Sequence, residues 1–272
     1  MSETGRNDFE EEVADPRLDA KLREIWAKFE KPWILNALRQ SLPPTRIETL
    51  GCTFVVHPRD NFTEFRMWEN GLPPEHEATQ AIADRLRGTP AVIVDVGANA
   101  GAFGLPVLKA AGPGARALAF EPNPVMQARL RRNIALNDLE VALFECALGD
   151  APGRSRLYFP RNGNLGQGRI DVKYAHKAGT EGVEVEVRTL PDCLNAAGVD
   201  RVDFLKVDVE GLEDRVIGPL LQSDAAPHPG LIYFEIAHDR VWQFPLFDLL
   251  IDRGYREVAQ YGPNSLFERE PQ

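Results

Sequence analysis

At 272 residues the chain is long enough for one large α/β domain plus an extension, and its shares of hydrophobic (43%) and charged (26%) residues are those of a soluble globular protein. Its net charge of −10 argues against nonspecific binding to nucleic acid or to an anionic membrane surface, and no apolar run approaches the roughly 20 residues that span a bilayer. Cys52, Cys146 and Cys193 are far apart with no metal-ligand spacing, and the first residues lack the basic and apolar regions of a secretory signal, so reduced thiols in a cytoplasmic protein are expected.

Residues 1–15 are acidic and polar and are expected to be disordered. From Pro16 the apolar spacing of Leu18, Leu22, Ile25, Trp26 and Phe29 predicts a helix, which Pro32 restarts and Pro43 breaks. This helical extension either packs on the main domain or, through its large aromatics, forms a substrate lid or a dimer contact. Residues 47–57 read as a β-hairpin, Asp60 and Asn61 as a helix cap, and a further helix runs to Arg87. The extension with its hairpin is assigned to residues 16–65 and the main domain to 66–272.

The most informative stretch is 91–123. A short apolar run ends on Asp95, passes into Gly97, Gly101 and Gly104, continues as a helix to Ala111, and is followed by a second apolar run ending on Glu121. Strand, glycine turn, helix and strand ending in an acid make a nucleotide-binding βαβ unit, in which the acid accepts from the ribose hydroxyls. The glycines do not have the G-x-G-x-x-G spacing of a pyrophosphate cradle, and Asp95 would repel a diphosphate. A ligand with a ribose, no phosphate and a cationic end suits these residues better, and S-adenosylmethionine is such a ligand.

Beyond Glu121, Asn123 is a fitting helix N-cap with Pro124 after it. Met126, Leu130 and Ile134 make the buried stripe of that helix, with Arg129, Arg131 and Arg132 expected on its solvated face. The third core strand is expected near 140–145. Residues 156–159 and 183–187 read as strands, and the loop at 161–168 between them, rich in glycine and amides, is placed to cover the mouth of a cleft. A fourth core strand at 202–207 ends on Asp208, Val209, Glu210 and Gly211. A fifth at 231–236 contains Glu235 and precedes His238 and Asp239, a helix spans 241–253, and two last strands follow at 255–259 and 265–268. Asp95, Glu121, Asp208 and Glu235 thus fall at or near strand ends, where an open α/β sheet binds its ligands. Lys206, inside a central strand, is expected to pair with a neighbouring acid.

Three motifs, DVGANAG at 95–101, FEPNP at 120–124 and LKVDVEG at 205–211, resemble in content, order and separation those of the FkbM-type methyltransferases, a branch of the class I S-adenosylmethionine-dependent enzymes. The resemblance covers roughly residues 66–268. It implies a Rossmann-like α/β fold, a seven-stranded mostly parallel sheet with helices on both faces, and S-adenosylmethionine as cofactor. It further implies cofactor contacts at Asp95, Gly97, Ala98, Asn99, Gly101, Glu121, Pro122, Asn123, Ala147 (beside the adenine) and Asp208, with an acid before the helix ending at Arg87, either Glu75 or Glu77, near the same ligand. Asp208 is expected to shape the cofactor side of the reacting centre. Glu210, opening the next helix, is expected to face the acceptor, with His238 as the second candidate for proton transfer. The Asp/Asn-Pro-Pro-Tyr/Phe signature of many amino-group methyltransferases is missing after the fourth strand, which favours a hydroxyl acceptor on a small molecule, sugar or lipid. Rival readings are a nicotinamide-dependent oxidoreductase, a non-catalytic methyltransferase-like binding module, and a metal-dependent O-methyltransferase holding a cation through Asp208, Glu235 and Asp239.

Overall fold

The computed structural model describes residues 13–160, 163–170 and 182–270. Two helices, α1 (Pro16–Trp26) and α2 (Pro32–Gln40), precede the hairpin β1 (Thr45–Thr49) and β2 (Cys52–Val56), then α3 (Phe62–Asn70) and α4 (His76–Leu86). The central unit is β3 (Val92–Val96), α5 (Gly104–Ala111), β4 (Arg116–Phe120), α6 (Pro124–Asn137) and β5 (Val141–Phe144). There follow β6 (Ala147–Leu148), β7 (Gly153–Leu157), β8 (Val183–Arg188), α7 (Leu190–Ala196), β9 (Phe204–Val207), α8 (Glu213–Gln222) and β10 (Leu231–Glu235). A 3₁₀ turn at Asp239–Val241, α9 (Leu246–Asp252), β11 (Tyr255–Tyr261) and β12 (Asn264–Arg269) complete the described chain.

Seven strands form one sheet in the order β11-β12-β10-β9-β3-β4-β5, in which only β12 runs antiparallel to its neighbours. These are the seven core strands expected from the apolar runs, because strands covered on both faces carry apolar residues at every position; all five residues of β3 are buried. The chain leaves β3 toward β4 and β5 on one side and returns to β9 and β10 on the other. The order therefore reverses between β3 and β9, and a crevice opens beyond their carboxyl ends. A three-stranded sheet, β6-β8-β7, stands beside the main one.

The extension is joined to the domain. Trp26 of α1 meets Phe65 and Trp68 of α3 edge-on at 5.3 and 5.7 Å, and Trp68 Nε1 donates to Asp19 at 2.6 Å. Neither α1 nor α2 has a fully buried residue, and Trp33 of α2 is 73% exposed. The free edge of β2 is closed by side chains of α6: Asn137 Oδ1 accepts from Thr53 N at 2.8 Å, and Asn133 Oδ1 from Val55 N at 2.9 Å. Helix α3 runs straight through the boundary expected at 65/66.

Several expectations are corrected. The helix expected at 241–253 begins only at Leu246, because Pro245 lacks an amide hydrogen and disfavours helical backbone before it. Helix α7, with its Thr189 cap, was not anticipated. The strand expected at 156–159 lies at Gly153–Leu157. Arg129 is not on a solvated face: it is 8% exposed, and its guanidinium bonds Glu64 at 2.6 Å and both oxygens of Asp60 at 2.8 and 3.0 Å. Of residues 1–15, expected to be disordered, 1–12 lie outside the described residues, as do Arg161 and Asn162 of the glycine-rich loop, whereas Ala14 N donates to Pro44 O at 2.9 Å and Asp15 caps α1. Among the described residues no helix is long and apolar enough to cross a membrane.

Candidate active site

The cleft opens at the switch point. Gly97 has φ +75°, and a Cβ there would stand 1.9 Å from the carbonyl oxygen of Asp208, so only glycine lets the β3 and β9 ends come this close. The loop turns again through Asn99 (φ +52°). Gly97, Ala98 and Asn99 line the cleft. Gly101 lies beneath it, where a Cβ would press on Leu105 and Leu130.

Glu121 ends β4 inside the same cleft, 6% exposed. Its Oε2 accepts from Asn99 N and its Oε1 from Asn123 N, each at 2.8 Å. Burial pushes its carboxyl up to about 7, against those two backbone donors at Asn123 and Asn99. The carboxylate is fixed in place, and lone pairs on both oxygens stay free for a ligand's donors. Asn123 also caps α6, its Oδ1 accepting from Val125 N at 3.0 Å, and Pro122 and Asn123 both line the cleft.

Lys206, 4% exposed, is surrounded by acids as expected: its Nζ is 3.2 Å from Asp208 Oδ2 and 3.9 Å from Asp95 Oδ1. Burial alone would lower the ammonium pKa, but Asp208, Asp95 and Glu75 outweigh it and hold it above its ordinary value. Asp95 itself, raised by burial with Lys206 opposing, is not among the residues that line the cleft. Its carboxylate turns behind the loop toward Gly104, where a Cβ would stand 2.3 Å from Oδ2. Of the two candidate acids, Glu75, just before α4, lines the cleft, and Glu77, in the first turn of α4, is exposed. Glu75 Oε1 accepts from Tyr233 Oη and Asn264 Nδ2, each at 3.0 Å. Three carboxylates thus gather about one ammonium, an arrangement suited to a cationic ligand.

Asp208, Val209 and Glu210 line the cleft beyond β9. Glu210 does not open a helix, as its sequence position suggested: α8 begins at Glu213, and Glu210 sits in a turn with φ +59°. Its carboxylate pairs with Arg169 at 2.7 Å. The turn is held by Glu213, wholly buried, which sequence reasoning did not single out. Glu213 Oε1 accepts from Val209 N at 3.2 Å and Gly211 N at 3.0 Å, and its Oε2 from Trp242 Nε1 at 3.3 Å. His238 does not line the cleft; it stands behind Gly211, with Nε2 3.6 Å from Glu235. Burial and then Asp208, Glu210 and Glu213 push Glu235 up to about 7. Among the described residues no group of three or more His, Cys, Asp or Glu could hold a metal ion, so Asp208, Glu235 and Asp239 are not assembled as a ligand set.

On the far side, Cys146, Ala147 and Leu148 line the cleft. The segment 163–170 lies across it: Leu165, Gly166, Gly168 and Ile170 contribute to the lining. Leu165 O accepts from Asn123 Nδ2 at 2.9 Å and Leu165 N donates to Asp60 O at 2.8 Å, while Arg169 reaches Glu210 at the other end.

Comparison with known proteins bears on this site directly. Residues 95–257 match the methyltransferase FkbM domain. Methyltransferase sdnD of Sordaria araneosa is 38% identical over 46% of this chain and 58% of its own length. The 2-O-methyltransferase NoeI of Sinorhizobium fredii is 31% identical over 66% of this chain and 78% of its own. The 31-O-demethyl-FK506 methyltransferase FkbM of Streptomyces tacrolimicus is 30% identical over 49% of this chain and 60% of its own. The chain thus matches less than two thirds of the length of two of these three relatives.

Proposed function

The chain belongs to the FkbM methyltransferase family, and from that membership we propose that it moves the methyl group of S-adenosylmethionine to a hydroxyl of a small molecule, sugar or lipid. The observation that carries this reading is Glu121, buried at a strand end beside a glycine loop, with both oxygens fixed by backbone amides and open to a ribose diol. The residues present suit the cofactor: Gly97, Ala98 and Ala147 present little side chain to the cleft they line, and Glu75, Asp95 and Asp208 outnumber Lys206 on the side proposed for the cationic methionine end. Asp95 acts from behind the loop, by charge and by setting its start. S-adenosylmethionine, when bound, would supply an electrophilic methyl on sulfur, which the acceptor oxygen takes as the S–C bond breaks and the neutral thioether leaves. The chain's work is then to hold the acceptor, exclude water beneath residues 163–170, and orient the hydroxyl. Glu210, ion-paired with Arg169 at 2.7 Å, faces the acceptor and accepts a hydrogen bond from its hydroxyl; Asp208 shapes the cofactor side. The oxygen acceptor is supported by the names of two relatives, a 2-O- and a 31-O-demethyl methyltransferase, and by Asp208, Val209 and Glu210 standing where amino-group enzymes carry their Pro-Pro signature.

The test uses the raised pKa of Glu121, about 7 against an ordinary 4.5. Between these values the free protein holds a proton there. A ribose diol donating to the carboxylate favours the ionised form, so binding releases that proton. Affinity for S-adenosylmethionine should therefore rise with pH up to about 7, by at most tenfold per unit, and flatten above it. Calorimetry in buffers of different ionisation enthalpy reads the released proton, and Glu121→Gln should abolish this release. Equal proton release by wild type and variant would remove Glu121 from the ribose site.

A further inference from the structure

The turn between β2 and α3 lies outside the matched region 95–257, yet its side chains reach the cofactor loop. Asn61 is wholly buried. Its Nδ2 donates to Asn99 Oδ1 at 2.7 Å and lies 3.2 Å from Met126 Sδ, while its Oδ1 caps α3 by accepting from Glu64 N at 3.2 Å. Asn99 Oδ1 also accepts from Ala100 N at 2.8 Å, and Asn99 N is one of the two donors that fix Glu121. A continuous chain of hydrogen bonds therefore runs from the start of α3 to the ribose-facing carboxylate. The turn is itself held from α6, where Arg129 bonds Asp60 and Glu64 on either side of Asn61. It also seats the segment across the cleft: Asp60 O accepts from Leu165 N at 2.8 Å, and a Cβ on Gly166 would come within 3.2 Å of the Asn61 amide.

We propose that Asn61 is a positioning residue for the cofactor site: it holds Asn99 in its left-handed conformation and thereby sets the amide that orients Glu121. Asn99 at φ +52° is a conformation that asparagine adopts more readily than most residues but still at a cost. The Asn61 amide offsets that cost by giving Asn99 Oδ1 a second donor from a wholly buried side chain. The N-terminal turn thus supports a site most of whose lining lies in the matched domain. This inference rests on the S-adenosylmethionine reading above, and its test has one arm that does not.

Asn61→Ser keeps a capping oxygen for Glu64 N and removes the donor to Asn99; Asn61→Ala removes both. In the serine variant the melting temperature should stay near that of the wild type, while Kd and KM for S-adenosylmethionine rise about tenfold and kcat at saturating cofactor is unchanged. The alanine variant should show the same affinity loss with a lower melting temperature. Hydrogen exchange on the cofactor-free protein supplies the independent arm: amides 98–101 should exchange faster in Asn61→Ser while those of α3 stay protected. Wild-type exchange at 98–101 in the serine variant would overturn the proposal whether or not the cofactor binds. If the wild type gives no heat with S-adenosylmethionine but the exchange changes as stated, the cofactor reading fails and the positioning role stands.

Discussion

Gly97→Ala is expected to destroy the cofactor site. The added methyl would stand 1.9 Å from the carbonyl oxygen of Asp208, a backbone atom that cannot swing aside, at a φ of +75°. The left-handed conformation costs an alanine about 1–2 kcal/mol and the overpacking about 1–3 kcal/mol more, so the variant should lose about 2–5 kcal/mol of stability in urea unfolding. The strain is relieved only by parting the β3 and β9 ends, which moves the loop away from Glu121 and Asp208 together. Binding of S-adenosylmethionine should fall below detection in whatever folded protein is recovered. Gly198→Ala separates the two causes: Gly198 also has a positive φ, +62°, but nothing lies within 4 Å of its added Cβ. It should cost only the conformational part and leave binding intact. Equal behaviour of the two variants would show that the close approach of Gly97 to Asp208 is unimportant.

Arg129→Met should cost about 3–5 kcal/mol, because it strands the carboxylate of Glu64, which is wholly buried, without its counter-charge. The loss should depend on pH in a defined direction. Burial already pushes Glu64 up to about 7 from an ordinary 4.5, with Arg129 opposing. A carboxyl whose folded pKa exceeds its unfolded one binds more protons in the native state between those values. Its contribution is therefore largest at low pH and is lost as pH rises through the folded pKa. Without Arg129 the folded pKa climbs further, so the variant's deficit should widen up to and beyond neutrality and shrink in acid. Adding Glu64→Gln should recover much of the deficit and remove its pH dependence. A deficit that is flat with pH would mean that the arginine contributes packing rather than charge.

What could be read from the sequence follows from where the signals lie. The β3–α5–β4 unit was legible because doubly covered strands carry uninterrupted apolar runs and because Gly97, Asn123 and Pro124 have local conformational reasons to be where they are. Glu121 was legible from its place at a strand end alone. Arg129 was misjudged because a helical stripe is drawn from apolar residues, while its partners Asp60 and Glu64 lie 69 and 65 positions away. Asn61 was read as a helix cap, which it is, but nothing local announces a side chain serving a second loop 38 residues on. The direction of Asp95 was not legible: the sequence orders the residues along the turn but does not say that this carboxylate points back toward Gly104 at the start of α5. Glu210 was taken as the first residue of a helix that begins three residues later, because its left-handed turn is imposed by Glu213 from the far side.

The central claim is that the Glu121 carboxylate receives the ribose of S-adenosylmethionine. It is tested most directly by titrating wild type and Glu121→Ala with the cofactor in a calorimeter, at a pH where Glu121 is ionised. Charge-assisted hydrogen bonds of about 1.5–3 kcal/mol each predict one site in the wild type and at least a tenfold weaker one in the variant, with its fold intact by circular dichroism. Equal affinity in both proteins, or no binding to the wild type, would contradict it.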